Sequence, residues 1–281
     1  MVAPTGERYW GRYGAAGLLV YDPARGVLLQ HRVAWSHFGG TWALPGGALH
    51  AGESAQDGAI REAQEEAGVP DGSVRARFES VLDLGIWSYT TVVADVEEPF
   101  EPVISDPESL ALEWVPVAEV AERPLHPGFA AGWPDLRALL DTRPVIVVDA
   151  ANVVGSVPDG WWKDRAGAAE RLHARIAAWI HGGVDDAELG LGATRWHPVV
   201  DLVVEGEARG RDDGSVADAV TVVRAAGQGD DEIVATAERR LAEGAAVTVV
   251  TSDRGLSERV AALGAEVRPV SWLRERIDRP A

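Results

Sequence analysis

The stretch from Gly47 to Val69, GALHAGESAQDGAIREAQEEAGV, gathers four glutamates, Glu53, Glu62, Glu65 and Glu66, and one arginine, Arg61, between two glycine-bearing turns. Glu62, Glu65 and Glu66 stand at i, i+3 and i+4, so a helix brings them to one face. Three carboxylates so close repel one another unless a cation sits among them, which makes Glu62, Glu65 and Glu66 the expected metal ligands. Hard oxygen ligands favour Mg²⁺ or Mn²⁺. An ion held this way can be shared with substrate phosphates and can activate a water for attack on phosphorus. Glu53, just ahead of the helix, is placed to accept bonds from the turn or to hold a water on the metal. Arg61 supplies a planar donor fork that can tie the loop to the acidic face. Glu65 or Glu66 is best placed to orient or deprotonate the water.

The elements that must position these residues follow from the flanking sequence. Ser54 is a helix cap, with Asp57 three residues on as its capping-box partner. Ala55, Ala59, Ile60, Ala63 and Ala67 are fair to good helix residues and Gly68 is a stop. The spacing therefore predicts one helix over roughly 54–67. Gly46 and Gly47 let the backbone approach that helix closely and are candidate substrate contacts. Segments 17–21 and 27–32 read as strands around the turn Asp22 to Gly26, with further strands over 74–85, 87–96 and 110–115. A short helix is expected from Val117 and a closing helix over 133–140. Trp35 and Phe38 lie in the loop before the acidic stretch, where a base could stack on one of them. His37 and His50 have no partners at metal spacing.

The acidic stretch resembles the Nudix box, G-x5-E-x7-R-E-U-x-E-E-x-G-U, where U is apolar. Gly47, Glu53, Arg61, Glu62, Glu65, Glu66, Gly68 and Val69 match, and Ala63 fills the first apolar slot. Eight fixed positions at fixed spacing make a specific signal. The resemblance implies an α/β/α sandwich with a mixed sheet and a hydrolase of nucleoside diphosphates linked to another moiety. That family includes MutT-type enzymes that remove oxidised nucleotides, so a nucleotide is the expected partner and a nucleoside triphosphate a reasonable first substrate. Sugar nucleotides, dinucleoside polyphosphates and capped RNA ends stay open. A non-enzymatic nucleotide sensor is the rival reading; intact acids speak against it.

At 281 residues the chain is expected to hold two domains. There is no apolar run near 18 residues, and the N-terminus lacks the apolar core of a signal peptide. Zero cysteines exclude disulfides and thiol catalysis. These features fit a cytoplasmic protein that does not enter a membrane. The net charge of −18 argues against broad, salt-sensitive nucleic-acid binding and leaves an anionic substrate dependent on metal.

The second half changes character. Val145 to Val148 is a continuous β-branched run, as in a strand buried on both faces. Strand-like segments over 199–204, 220–224 and 246–250 alternate with helical ones over 166–180, 230–243 and 256–263, which implies a mostly parallel α/β sheet. Asp149 and Asp253 end two of the strands, and Asp230 with Asp231 opens a helix. In such sheets ligands gather beyond the carboxyl ends of the strands, so the four acids are candidates for a second metal site. Asn152 and Ser252 are possible added ligands and Asp164 a weaker one. The runs VVDAANV, GDDEIV and TSDRG resemble the NYN branch of the PIN-like nucleases over about 143–275. That resemblance implies an acid-bound Mg²⁺ or Mn²⁺ and RNA as a partner. Lys163, Arg165, Arg171 and Arg254 could form a local phosphate track. The expected organisation is a Nudix-like domain over 1–140 and a PIN/NYN-like domain over 143–281, with an interaction module as the rival for the latter.

Overall fold

A computed structural model of the chain describes residues 11–157, 164–205 and 219–278. Two compact units are present. The first runs to Asp141 and takes in Gly190–Arg195; the second holds Thr142–Leu189 and resumes at Trp196.

The first unit is built on β1 (Ala15–Asp22), β2 (Gly26–Arg32), β3 (Trp42–Ala43), β4 (Gly46–Ala48), α1 (Ala55–Ala67), β5 (Val74–Asp83), β6 (Ser88–Val96), β7 (Ser109–Val115) and α2 (Pro127–Leu139). β1 runs parallel to β6 and antiparallel to β2 and β4. β3 and β7 pair antiparallel with β2, and β5 with β6. The sheet is mixed, as expected. Segment Gly190–Arg195 joins it beside β5, where the Thr194 amide donates to the Glu79 carbonyl at 2.9 Å.

α1 starts where its cap chemistry says it should. The Ser54 hydroxyl accepts from the Asp57 amide at 3.0 Å, and Gly68, at φ 63°, closes the helix in the left-handed conformation. The helix lays Ala59, Ala63 and Ala67, all fully buried, on Leu18, Val20 and Val92 of the sheet. These small side chains allow helix and sheet to approach closely. They also fix where the acids point. At about 100° per residue, Glu66 falls about 20° from Ala59, inside the buried stripe; Glu62 lies about 60° away and Glu65 about 120° away. The three carboxylates thus lie within an arc of about 100° on one face of the helix, with Glu66 nearest the sheet and Glu65 farthest from it.

α2 begins six residues before the expected start at Trp133. The His126 ring caps it by accepting from the Gly128 amide at 3.1 Å, and Pro127 occupies the first turn. Gly128, Gly132 and Pro134 hid this helix from propensity. The short helix expected from Val117 is a single 3₁₀ turn, Val120–Glu122.

The second unit contains β8 (Pro144–Asp149), α3 (Ala150–Gly155), α4 (Arg165–His181), β9 (Val184–Asp185), α5 (Asp186–Leu189), then β10 (Arg195–Trp196) at the crossing, β11 (Val199–Val204), β12 (Val220–Arg224), α6 (Gly229–Ala242), β13 (Ala246–Val250), α7 (Arg254–Ala262), β14 (Glu266–Arg268) and α8 (Val270–Ile277). Its five-stranded sheet is parallel throughout, in the order β12-β11-β8-β13-β14. Ile146 and Val148 pack to one side, in the core with Leu172, Ile176 and Leu273; Val145 and Val147 pack to the other, with Ile233, Leu256 and Val260. A strand covered on both faces explains the unbroken apolar run. The winding reverses between β8 and β13, which opens a crevice outside their carboxyl ends. α3, β14 and α8 were not read from sequence. α3 follows its strand without a loop, and α8 is announced only by Pro269. Among the described residues, no helix is long and apolar enough to cross a membrane.

Candidate active site

The first unit concentrates its acids around α1. Arg61 is the hub of the outer group. Its Nε and Nη2 donate to the two oxygens of Glu53 at 2.8 and 3.1 Å, its Nη1 to Glu62 Oε1 at 2.8 Å, and its Nη2 to the Ala48 carbonyl at 3.3 Å. Glu65 lies 3.6 Å from the same guanidinium and is the most exposed box acid at 62 %. Glu62 closes against β4, where a Cβ on Gly47 would fall 2.5 Å from its carboxyl carbon. Any side chain at Gly47 would displace that acid. Gly46 is as constrained, since its Cβ would meet the Ala16 carbonyl oxygen at 2.4 Å.

Glu53 also accepts from the His50 amide at 2.8 Å. The Arg61 guanidinium, helped by that amide, holds its carboxyl down to about 2. A depressed acid stabilises the fold above its unfolded value of 4.5, and that contribution disappears as pH falls from 4.5 toward 2. Glu53→Gln is therefore expected to lower stability by about 1.5–3 kcal/mol at pH 7, the worth of charged hydrogen bonds. Denaturation of both proteins should give converging stabilities near pH 2. A deficit unchanged across that range would mean that Glu53 acts through packing.

Glu66 is different. It is buried, accepts from the Gly46 amide at 3.0 Å and from Gln30 Nε2 at 3.3 Å, and burial pushes its carboxyl up to about 7. Asp106 and Glu62 raise it further, while the Arg32 guanidinium opposes them. Glu66, Asp106 and Glu108 each offer an oxygen lying within 4.8 Å of the others, and they are the one such group of three among the described residues. Asp106 and Glu108 come from the approach to β7 and carry no sequence signal beyond being acids in a loop. The structure brings Glu66 together with those two acids, keeps Glu62 near enough to be felt at Glu66, and leaves Glu65 on the rim.

The three converging acids fit a hard divalent cation. They are oxygen donors, and among the described residues no arginine or lysine is bonded to Asp106 or Glu108 and the fully buried Gln30, whose Nε2 reaches Glu66, leaves its Oε1 without a partner. The charge of Arg32 is felt at Tyr89 and His126 as well as at Glu66. Its Nε donates to the His37 carbonyl at 3.3 Å. Phe38 stands edge-on to His126 with ring centres 4.8 Å apart, and Trp35 is 68 % exposed. Sequence reading put Trp35 and Phe38 near the site but gave Arg32, Asp106 and Glu108 no role.

In the second unit, Asp149 lies buried at the end of β8. It accepts from the Asn152 amide at 2.9 Å and the Thr251 hydroxyl at 3.0 Å, and burial, with Asp230 and Glu205 nearby, pushes its carboxyl up. Asp253 caps α7 by accepting from the Leu256 amide at 2.7 Å, and Asp231 pairs with Arg259 at 2.7 Å. Among the described residues, Asp149, Asp230, Asp231 and Asp253 do not form a converging group like that of Glu66, Asp106 and Glu108; one oxygen of Asp253 caps a helix and Asp231 is in an ion pair. Of the basic residues weighed as a phosphate track, Arg171 pairs with Asp164 and Arg254 with Glu258. Lys163 lies outside the described residues.

A mixed-sheet unit with this glutamate helix and a converging acid trio is the arrangement a metal-dependent hydrolase of phosphoanhydrides requires. Comparison with known proteins makes this specific. The family model of the NUDIX domain matches residues 11–134. A protein of Mycobacterium tuberculosis (strain H37Rv) named "Putative 8-oxo-dGTP diphosphatase 3" is 47 % identical over 159 residues, covering 53 % of this chain and 73 % of that one. A "Nucleoside triphosphate pyrophosphatase/Nudix hydrolase fusion protein" of Bifidobacterium longum is 42 % identical over 145 residues, 48 % of this chain and 30 % of its own. A crystal structure of the Nudix hydrolase RenU from M. smegmatis shares 47 % identity, covering 49 % of this chain and 91 % of that one with a TM-score of 0.45. The chain belongs to the Nudix family, and it is a Nudix-type pyrophosphohydrolase acting on phosphorus-containing anhydrides. Members of this family generally use divalent metal ions.

Proposed function

We propose that the first unit hydrolyses nucleoside triphosphates, with oxidised purine nucleotides such as 8-oxo-dGTP preferred, using Mg²⁺ or Mn²⁺ held by Glu66, Asp106 and Glu108. The convergence of these three carboxylates beside the box helix carries the reading. The names of the relatives, among them an "8-oxo-dGTP diphosphatase" of Proteus vulgaris, 40 % identical over 55 residues, support the substrate class. A bound ion supplies charge neutralisation and Lewis acidity toward the pyrophosphate. The chain supplies the rest. Arg32 offers a guanidinium fork to the phosphate chain, Phe38 or Trp35 a stacking face to the base, and Glu62 and Glu65 complete the acidic rim. Glu65 or Glu66 takes up the proton released by the attacking water.

The test is a phosphate-release screen of the full chain against 8-oxo-dGTP, dGTP, ADP-ribose, a dinucleoside tetraphosphate and 5′-triphosphate RNA, with and without each metal. The expected result is metal-dependent turnover with kcat/KM for 8-oxo-dGTP at least ~10-fold above dGTP, within what one pocket can discriminate. A higher kcat/KM for ADP-ribose or the dinucleoside tetraphosphate than for every triphosphate would overturn the substrate class.

For the second unit we propose a PIN/NYN-like domain with metal-dependent ribonuclease chemistry centred on Asp149. Its support is the reversal of winding between β8 and β13, with a buried acid at that crevice. RNA cleavage in Mn²⁺ should be lost in Asp149→Asn; undiminished cleavage by that variant would leave the unit an interaction module.

A further inference from the structure

We propose that Gln30 is a positioning residue for the acid trio: its side-chain amide sets Glu66 and, through Ser109, Asp106 at cation-binding separation before any ion arrives. The inference rests on the reading that Glu66, Asp106 and Glu108 hold the divalent ion.

Gln30 sits on β2 and is fully buried, in a strand whose preceding residues Val27, Leu28 and Leu29 are all fully buried hydrophobics. An apolar residue is the ordinary occupant of such a position. Gln30 Nε2 donates to Ser109 Oγ at 2.8 Å and to Glu66 Oε2 at 3.3 Å. Ser109, also buried, donates its one hydroxyl proton to Asp106 Oδ1 at 3.0 Å. Valence fixes the direction of every bond. A carboxylate only accepts, so the hydroxyl must give its proton to Asp106 and accept from the amide, and the amide must turn its NH₂ toward both Ser109 and Glu66. The chain thus begins and ends on two acids of the trio that belong to different elements, α1 and the approach to β7.

Two further observations separate this from an ordinary buried hydrogen-bond pair. Among the described residues, Gln30 Oε1 has no partner at full burial. The amide is committed to its two donor contacts at the expense of its own acceptor, an arrangement native cores rarely keep without a reason. The register of β2 against β7 also shifts between His31 and Arg32, so that Ser109 falls opposite Arg32 and comes within reach of Gln30. Bulges of this kind re-aim side chains next to active sites. Without the amide, Glu66 keeps only its Gly46 contact and Asp106 keeps a hydroxyl free to rotate. The trio would still exist, but its spacing would no longer be set by the protein.

The test measures Mn²⁺ binding to the full chain without nucleotide, by the paramagnetic resonance signal of free Mn²⁺, beside the metal-free Tm. Gln30→Met keeps the volume and removes both donors. It is expected to raise the Kd for Mn²⁺ by ~10–100-fold, the usual effect of losing a group that orients a metal ligand. Ser109→Ala, which breaks only the Asp106 arm, should raise it less. The double variant should match Gln30→Met within about twofold, because both act on one chain. A Gln30→Met protein, or Ser109→Ala should that variant not fold, that binds Mn²⁺ like wild type while its Tm drops would make Gln30 a core residue only and overturn the proposal. Asp106→Asn and Glu108→Gln distinguish failure of the underlying reading: unchanged Mn²⁺ binding in both would mean that the trio is not the metal site, and the proposal would fall with it.

Discussion

Replacing Glu66 with glutamine is expected to lower kcat/KM for phosphoanhydride hydrolysis by ~10³-fold or more while leaving the metal-free protein at least as stable as wild type at pH 8. The activity loss follows from position. Glu66 is the only box acid that converges with Asp106 and Glu108, so its charge is the part of the cation's field that no neighbour replaces. Stability follows from burial. The carboxyl is pushed up to about 7 from 4.5, so between those values the native state binds more protons than the unfolded one. Native stability therefore falls as pH rises from about 4.5 to about 7, then levels off. Glutamine keeps an acceptor for the Gly46 amide and has no charge to desolvate, so that slope should disappear. Chemical denaturation at pH 5 and pH 8 without metal, together with kcat/KM at saturating Mg²⁺, checks both halves. An active Glu66→Gln enzyme alongside an inactive Glu65→Gln enzyme would move the centre of the site to the exposed rim.

That contrast marks how far the sequence could be read. Spacing placed Glu62, Glu65 and Glu66 on one helix and Ser54 and Gly68 at its ends, because capping and the 3.6-residue period are local properties. It did not rank the three acids, since burial depends on which alanines meet the sheet; once Ala59, Ala63 and Ala67 are seen to face inward, Glu66 must follow them. Asp106 and Glu108 were illegible for another reason. They reach Glu66 only through pairing of β7 with β2, a contact between segments far apart in sequence, and nothing local distinguishes them from other loop acids. Gln30 is one of three polar residues closing its strand, and its full burial, which only the fold shows, is what makes it informative. In the second unit, the β-branched run Val145–Val148 announced a strand covered on both sides. Asp231 and Asp253, by contrast, carry the residue type of a metal ligand and the surroundings of an ion pair and a helix cap.

Arg61 should prove nearly as sensitive as Glu66, through geometry rather than charge on the ion. Its guanidinium makes four hydrogen bonds in one plane, two to Glu53, one to Glu62 and one to the Ala48 carbonyl. Glu53 and Glu62 are mostly covered, at 13 % and 16 % side-chain exposure, so neither acid can recover full hydration if the arginine is lost. Arg61→Ala leaves both as partly buried, unpaired acids beside Glu66, which is expected to lower stability by about 3 kcal/mol. It also frees Glu62 from its place against Gly47, and a displacement near 1 Å at such a site reduces turnover by ~10²-fold. Arg61→Lys separates shape from charge. A lysine restores one positive charge but can satisfy only one acid at a time, so it should recover less than half of the lost stability and little of the lost turnover. Thermal unfolding and kcat/KM of the two variants, measured with Glu53→Gln and the Arg61→Ala/Glu53→Gln double variant, give the coupling between the pair. If lysine restores both quantities to wild-type values, the box needs only a cation at this position, and the planar fork is incidental.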